Sequence, residues 1–361
     1  MKNTTTSLDV EQLQALSEQY DVPYLDVALI AANSEGARPL RDYPRARMQL
    51  RPAGSEDEVW QIILPFDNEH SPFEVVDDAL LLANVAVADV VALENDDVVL
   101  TYLRAGGRSI TLNTHSRSRC TGCMFCPNVI EDAADETLTT TNQLAQVLEW
   151  LMTDNGWPDL RHAEVITVCT GCFHYPEMAI GHMAALRTAA ERYGFIGRLH
   201  LLSSVLRERA DLQRLQETCG PFHLTLTMEC FERRSLLLKD TKASLTLERA
   251  GEIMECCRDL GILVDFTFVA GLDSYERAVN GIAHLAPRVS TFPRIQVFQA
   301  HNDYMRRARH PQAENLSYYL DLRAALETVF APTGLVPRSW ENYRPLWYSR
   351  YAGALLPGPR V

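Results

Sequence analysis

Long apolar runs are missing from this chain. No stretch of about 18 apolar residues occurs in it, so no segment is expected to cross a bilayer as a helix. The opening, Met1 to Thr6, is polar and leads into a mixed segment without the apolar core of a secretory signal, which argues against export. Positive charge is scarce as well: 34 Lys and Arg stand against 47 Asp and Glu, for a formal net charge of -13. A surface of that sign repels polyanions, so neither nucleic acid nor an anionic membrane is an expected partner. Internal repeats are absent, and nothing longer than the Thr4 to Thr6 run is of low complexity. Cysteines number nine and so cannot all pair, and none follows Cys257. Three crowd into one short stretch, which suits metal ligation in a reducing compartment such as the cytoplasm better than a disulfide framework.

What is present is ample core material. With 361 residues, 47% hydrophobic and 22% charged, the chain supports one barrel-sized domain or two smaller ones. Residues 1–105 mix a helical opening (8–20) with short apolar runs at 59–64 and 98–103, and read as a small α+β accessory region. From residue 106 to 305 the rhythm becomes strand, loop, helix. Strands are expected at 110–113, 164–168, 199–202, 223–227, 263–269 and 295–298, with helices at 141–152, 177–193, 209–218, 246–260 and 275–285. Leu144, Val147, Leu148 and Leu151 show the three-and-four spacing of a helix. Residues 306–361 hold one more helix (316–330) and an aromatic-rich tail, Arg338 to Tyr348. Strands alternating with helices imply a parallel α/β sheet, here a partial (β/α)6 TIM-type barrel, whose chemistry sits on loops at the carboxyl ends of the strands.

The loop after the first of these strands reads Arg119-Cys120-Thr121-Gly122-Cys123-Met124-Phe125-Cys126-Pro127-Asn128. Thiolates so close together can converge on soft metal ions, either an iron–sulfur cluster or zinc. A cubane cluster held by Cys120, Cys123 and Cys126 alone keeps one iron open, the mark of a catalytic rather than a structural metal. With Phe125 before the last cysteine and Pro127-Asn128 after it, this loop resembles that of the radical S-adenosylmethionine superfamily. Members carry three cysteines on the loop after the first barrel strand. Their usual spacing leaves three residues and then two between the cysteines, whereas both gaps here are two, a departure that points to a divergent branch.

The resemblance implies a [4Fe–4S] cluster, S-adenosylmethionine, an electron carrier such as flavodoxin or ferredoxin, and a small polar metabolite as substrate in a biosynthetic pathway. It also implies cofactor contacts at later strand ends: Phe125 beside the cluster, Gly171 near the methionine amino group, Ser204 and Glu229 on ribose hydroxyls. Arg233 or Arg234 would meet the methionine carboxylate, Gly271 the adenine, and Gln299 and His301 the cavity. Each position also has a plainer reading as an ordinary turn, a solvated helix start or a loop. Cys169 and Cys172 are either buried structural thiols, a redox pair or ligands of a second metal. Cys256 and Cys257 read as packing, and Cys219 and Cys230 carry no ligand signal. Two rival readings stay open: zinc on the three cysteines with Cys169 or His115 as fourth ligand, and a noncatalytic scaffold on a decayed enzyme fold. The tail aromatics form either a lid or a structural closure.

Overall fold

Between residues 109 and 285 the alternating pattern folds as strand and helix in turn, in a computed structural model that describes residues 8–53, 58–96, 101–114, 122–126, 138–169, 172–338, 345–346 and 348–356. The chain divides into two units, one of residues 1–97, 269–280 and 294–361, the other of 98–268 and 281–293.

The first unit opens with α1 (Val10–Tyr20), whose N-cap Asp9 accepts the Gln12 N–H at 2.9 Å, and α2 (Tyr24–Glu35). Strands β1 (Arg45–Pro52), β2 (Trp60–Pro65), β3 (Phe73–Val76), β4 (Ala79–Leu82) and β5 (Val85–Asn95) follow. They form an antiparallel sheet in the order β2-β1-β5-β4-β3.

In the second unit β6 (Thr101–Arg104) pairs antiparallel with β7 (Ser109–Leu112). Residues 101–103 of the run expected in the accessory region therefore lie on the edge strand of the main sheet; residues 98–100 lie outside the described residues. Then come α3 (Thr141–Asn155), β8 (Val165–Val168), α4 (Pro176–Glu191), β9 (Arg198–Leu202), α5 (Arg209–Cys219) and β10 (Phe222–Glu229). Two short helices, α6 (Arg234–Leu237) and α7 (Asp240–Ala243), precede α8 (Leu247–Asp259) and β11 (Leu263–Ala270). Strands β7 to β11 are parallel and lie side by side in chain order. Consecutive order is that of a barrel segment; a doubly wound sheet would reverse direction about its middle. Helix α3 shows why its boundaries were readable: Thr140 and Gln143 form a capping box, and Gly156 closes the helix with a left-handed φ of 66°.

The two faces of this sheet differ in kind. Leu112, Val168, Leu201, Leu224 and Val264 make one fully buried apolar row, joined by Leu226, Phe266 and Phe268. On this side Phe231 stacks on Phe268 at 5.0 Å, and α9 (Tyr275–Leu285) presents Gly281 to the ring of Phe231. A Cβ at Gly281 would stand 2.3 Å from that ring. Gly281→Ala is therefore expected to cost about 1–3 kcal/mol through overpacking, read as a lowered urea midpoint. The opposite face carries Thr111, Thr167, His200, His223, Thr225, Thr227, Asp265 and Thr267, polar yet buried.

Returning to the first unit, β12 (Arg294–Val297) runs into Phe298, whose N–H donates to the O of Ala270 of the same unit at 2.8 Å. Helices α10 (Asp303–Arg306) and α11 (Leu316–Phe330) come next. Arg323 on α11 meets Asp26 on α2 at 3.2 Å, both almost fully buried, and its guanidinium lies 4.5 Å from the Tyr348 ring. Tyr348 is thus structural; residues 339–344 and Trp347 of the tail lie outside the described residues. No described helix is long and apolar enough to cross a membrane.

Candidate functional site

Of the cysteine loop after β7, residues 122–126 are described; Cys120, Pro127 and Asn128 lie outside. The Cys126 N–H donates to Cys123 O at 3.1 Å, which folds both cysteines onto one tight turn. Met124 N–H donates to Leu237 O at 2.9 Å, and a Cβ at Gly122, whose φ is 106°, would stand 3.0 Å from the Lys239 Cβ. Glycine thus lets the turn press directly on the segment between α6 and α7. Cys123 is buried, while Phe125 and Cys126 are half-buried. Burial pushes the Cys123 thiol up, and the Lys242 ammonium and Lys239 N–H draw it back, against the Glu229 carboxylate and the Cys172 thiol.

Glu229 ends β10 on a bulge: the register with β11 slips between Thr227 and Glu229, and Glu229 adopts a left-handed φ of 66°. Such a conformation is costly for a side chain with a Cβ and tends to occur where a residue is aimed at a site. Here Oε1 accepts from Lys242 Nζ at 2.8 Å and Oε2 from Thr267 Oγ1 at 3.1 Å. The ion pair is only 11% and 13% exposed, so water screens it far less than a surface pair. Burial alone would lower the Lys242 pKa, but Glu229, with Cys172 and Cys123 beyond it, holds it well above its ordinary value. Lys242 stays charged.

Of the two arginines expected at a ligand carboxylate, Arg233 and Arg234, the second is engaged by the backbone. Arg234 donates to Met228 O and Lys242 O, each at 2.6 Å, and to Cys230 O. It is a strut between the end of β10 and α7 rather than a binder of a ligand carboxylate. Arg233 stands half-buried at a left-handed φ of 49° on the turn before α6. Ser204 is buried just after β9, and Gly171 lies outside the described residues. The Cys169 N–H donates to Leu112 O at 3.1 Å, so β7 and β8 leave the sheet side by side. Cys169 is exposed and Cys172 half-buried, the latter within electrostatic reach of Cys123 and Lys242. Pro176 occupies the first turn of α4, the ordinary helix start. Burial pushes Cys219 and Cys257 up to about 12, leaving them protonated packing groups.

Gly271 and Gln299 belong to the first unit. Space at Gly271 is taken by Tyr319 Oη and the Phe298 Cβ, 2.8 and 3.1 Å from where a Cβ would be. Gln299 is 1% exposed and spends its amide N–H groups on Asn33 Oδ1 at 2.8 Å and Ile63 O at 2.7 Å. The glycine is needed for packing, and the glutamine's amide nitrogen is clamped within that unit while its Oε1 is buried without a partner among the described residues. Cys123, Cys126 and Glu229 are the expected residues that the fold brings together.

Two groups were not anticipated. Lys242 is one. The other is the polar face of the sheet, where Asp265 accepts from the hydroxyls of Thr225 and, at 2.9 Å, Thr291, and lies 3.1 Å from His223 Nε2. His200 stacks on His223 at 4.1 Å and bridges Thr225 at 2.7 Å and Thr167 at 3.0 Å. One layer further toward the strand ends, the Thr227 hydroxyl is buried without a partner among the described residues. An unmet buried hydroxyl is costly and marks a place for a polar ligand or water.

No three His, Cys, Asp or Glu side chains already form a metal site among the described residues. The donor set nevertheless fits a thiolate-held cluster: Cys123 and Cys126 share one turn, a third cysteine lies just upstream in sequence, and the buried Lys242 ammonium acts on Cys123.

No family model and no curated protein matches the chain. Among solved structures it is similar to Streptococcus suis SuiB bound to S-adenosylmethionine (12% identity, 58% of this chain and 45% of that one, TM-score 0.40). It is also similar to the radical S-adenosylmethionine methyltransferase TsrM from Kitasatospora setae with cobalamin and a [4Fe–4S] cluster bound (13% identity, 52% and 36%, TM-score 0.37). TsrM with tryptophan substrate and the analogue aza-SAM gives 14% identity, 53% and 35%, and a TM-score of 0.36. The chain thus spans less than half the length of each.

Proposed function

We propose that this chain is a radical S-adenosylmethionine enzyme that holds a [4Fe–4S] cluster on Cys120, Cys123 and Cys126. The observation that carries this reading is a cysteine turn at the carboxyl end of the first parallel strand, docked on the segment that leads into Lys242, whose buried ammonium Glu229 holds at 2.8 Å. Held by Cys120, Cys123 and Cys126, such a cluster would supply one-electron chemistry for reductive cleavage of S-adenosylmethionine. The protein's share is positioning. Cys123 and Cys126 present thiolates from one turn, Phe125 lies between them in sequence, and Ser204 and Glu229 offer polar groups at neighbouring strand ends. A polar inner sheet face with an unmet Thr227 hydroxyl supports a small polar metabolite as substrate. A flavodoxin or ferredoxin would supply the electron.

Anaerobically reconstituted protein is expected to be brown, with iron and sulfide each near about four per chain, the content of a cubane cluster. Reduced and mixed with S-adenosylmethionine, it is expected to release 5′-deoxyadenosine or methylthioadenosine, and the product identifies the bond broken. Colourless protein with one zinc and no cleavage would replace this reading with the zinc one.

A further inference from the structure

We infer that Lys242 is the buried countercharge of the metal centre and that its ammonium, pinned by Glu229, raises the reduction potential of a cluster held through Cys123. This inference rests on the cluster reading and goes beyond it to a residue outside the cysteine motif.

Lys242 is 8% exposed, and taking an ammonium out of water costs several kcal/mol unless charge repays it. Its position is fixed from both ends. The Nζ is held by Glu229 at 2.8 Å, Glu229 is held in turn by Thr267 at 3.1 Å, and the Lys242 carbonyl accepts from Arg234 at 2.6 Å. The cysteine turn is fixed to the same segment through Met124 N–H to Leu237 O and the close approach of Gly122 to Lys239. Cation and thiol are therefore parts of one braced structure and cannot drift apart.

The cation sits one helical turn from the contact with the cysteine loop: the Lys242 N–H donates to Lys239 O at 2.9 Å, and Lys239 is the residue against which Gly122 is pressed. Positive potential in a poorly solvated place favours an added electron, and net charge around the thiolate sulfurs is among the levers that set cluster potentials.

The test is a mediated redox titration of anaerobically reconstituted full-length protein, followed by electron paramagnetic resonance, with iron content measured on each sample. K242M at wild-type iron content is expected to bind its electron at least tenfold less favourably, a shift of about 59 mV to lower potential for one electron. K242R is expected to stay within threefold of wild type. E229Q, which removes the opposing charge, is expected to shift at least threefold the other way. A K242M potential within threefold of wild type overturns the inference, as does a shift of both neutralising variants in the same direction. If K242M does not yield folded, loaded protein by circular dichroism and iron content, E229Q decides alone. A wild-type chain that takes up no iron and sulfide fails the cluster reading itself; a loaded one indifferent to residue 242 fails only this inference.

Discussion

Alanine at Cys123 is expected to empty the proposed metal centre, taking iron from about four per chain, as a cubane cluster requires, to background while the protein stays folded. Cys123 is the buried member of the cysteine turn; burial pushes its thiol up, and the Lys242 ammonium and the Lys239 N–H draw it part of the way back. Losing it leaves at most two of the three proposed ligands. Truncating an outer-shell partner of a metal typically costs 10–100-fold, so loss of a ligand itself is expected to lower S-adenosylmethionine cleavage by at least about a hundredfold. Cys120→Ala and Cys126→Ala should behave alike. Cys256 is the control: it lies half-buried on α8, with the Arg209 guanidinium 3.7 Å from its sulfur, and C256A should keep both iron and turnover. Iron retained by C123A at the wild-type level would end the cluster reading.

How much of this was legible in the sequence follows from how local each feature is. The strands and helices of the second unit sit within a few residues of their expected places, because hydrophobic period and helix caps are local signals. β10 runs to Glu229 rather than stopping at residue 227, since the bulge that re-aims Glu229 interrupts the pairing without ending it. The hairpin joining β6 to β7 was readable in principle. Gly106 and Gly107, at φ 64° and 84°, lie between two β-prone runs, the ordinary mark of a tight turn. Gln299 misled because its partners, Asn33 and Ile63, are 266 and 236 residues away. Nothing near it in sequence announces them. Lys242 had no local signal at all: Lys239-Asp240-Thr241-Lys242 looks like a solvated charged turn, and its burial depends on α6 and α7 folding back over the end of β10. The polar inner face did leave a trace. His223, Thr225, Thr227 and Glu229 alternate with Leu224, Leu226 and Met228, where a strand buried on both faces of a parallel sheet would be apolar throughout.

That alternation leads to the second large effect. Asp265→Ala is expected to lower unfolding free energy by about 3–5 kcal/mol, the usual cost of breaking a buried charged network from one side. Asp265 is fully buried and accepts from Thr225 and Thr291, with His223 Nε2 also in reach. Removing it leaves these donors facing a space that water does not readily fill. The proton arrangement follows from the same contacts. Thr225 spends its hydroxyl hydrogen on Asp265, so toward His200 it can only accept, and His200 Nε2 must carry the proton. His200 Nδ1 is then left to accept from Thr167. Thr291→Val removes a single donor and is expected to cost about 1 kcal/mol. Urea melts of the two variants should therefore separate clearly, and nitrogen-15 spectra should show His200 as the Nε2–H tautomer in wild type. An Asp265→Ala loss below about 1 kcal/mol, no more than one ordinary hydrogen bond, would show that the inner face is not braced through this carboxylate. The opposite tautomer at His200 would reverse the donor order along the whole chain from Thr167 to Asp265.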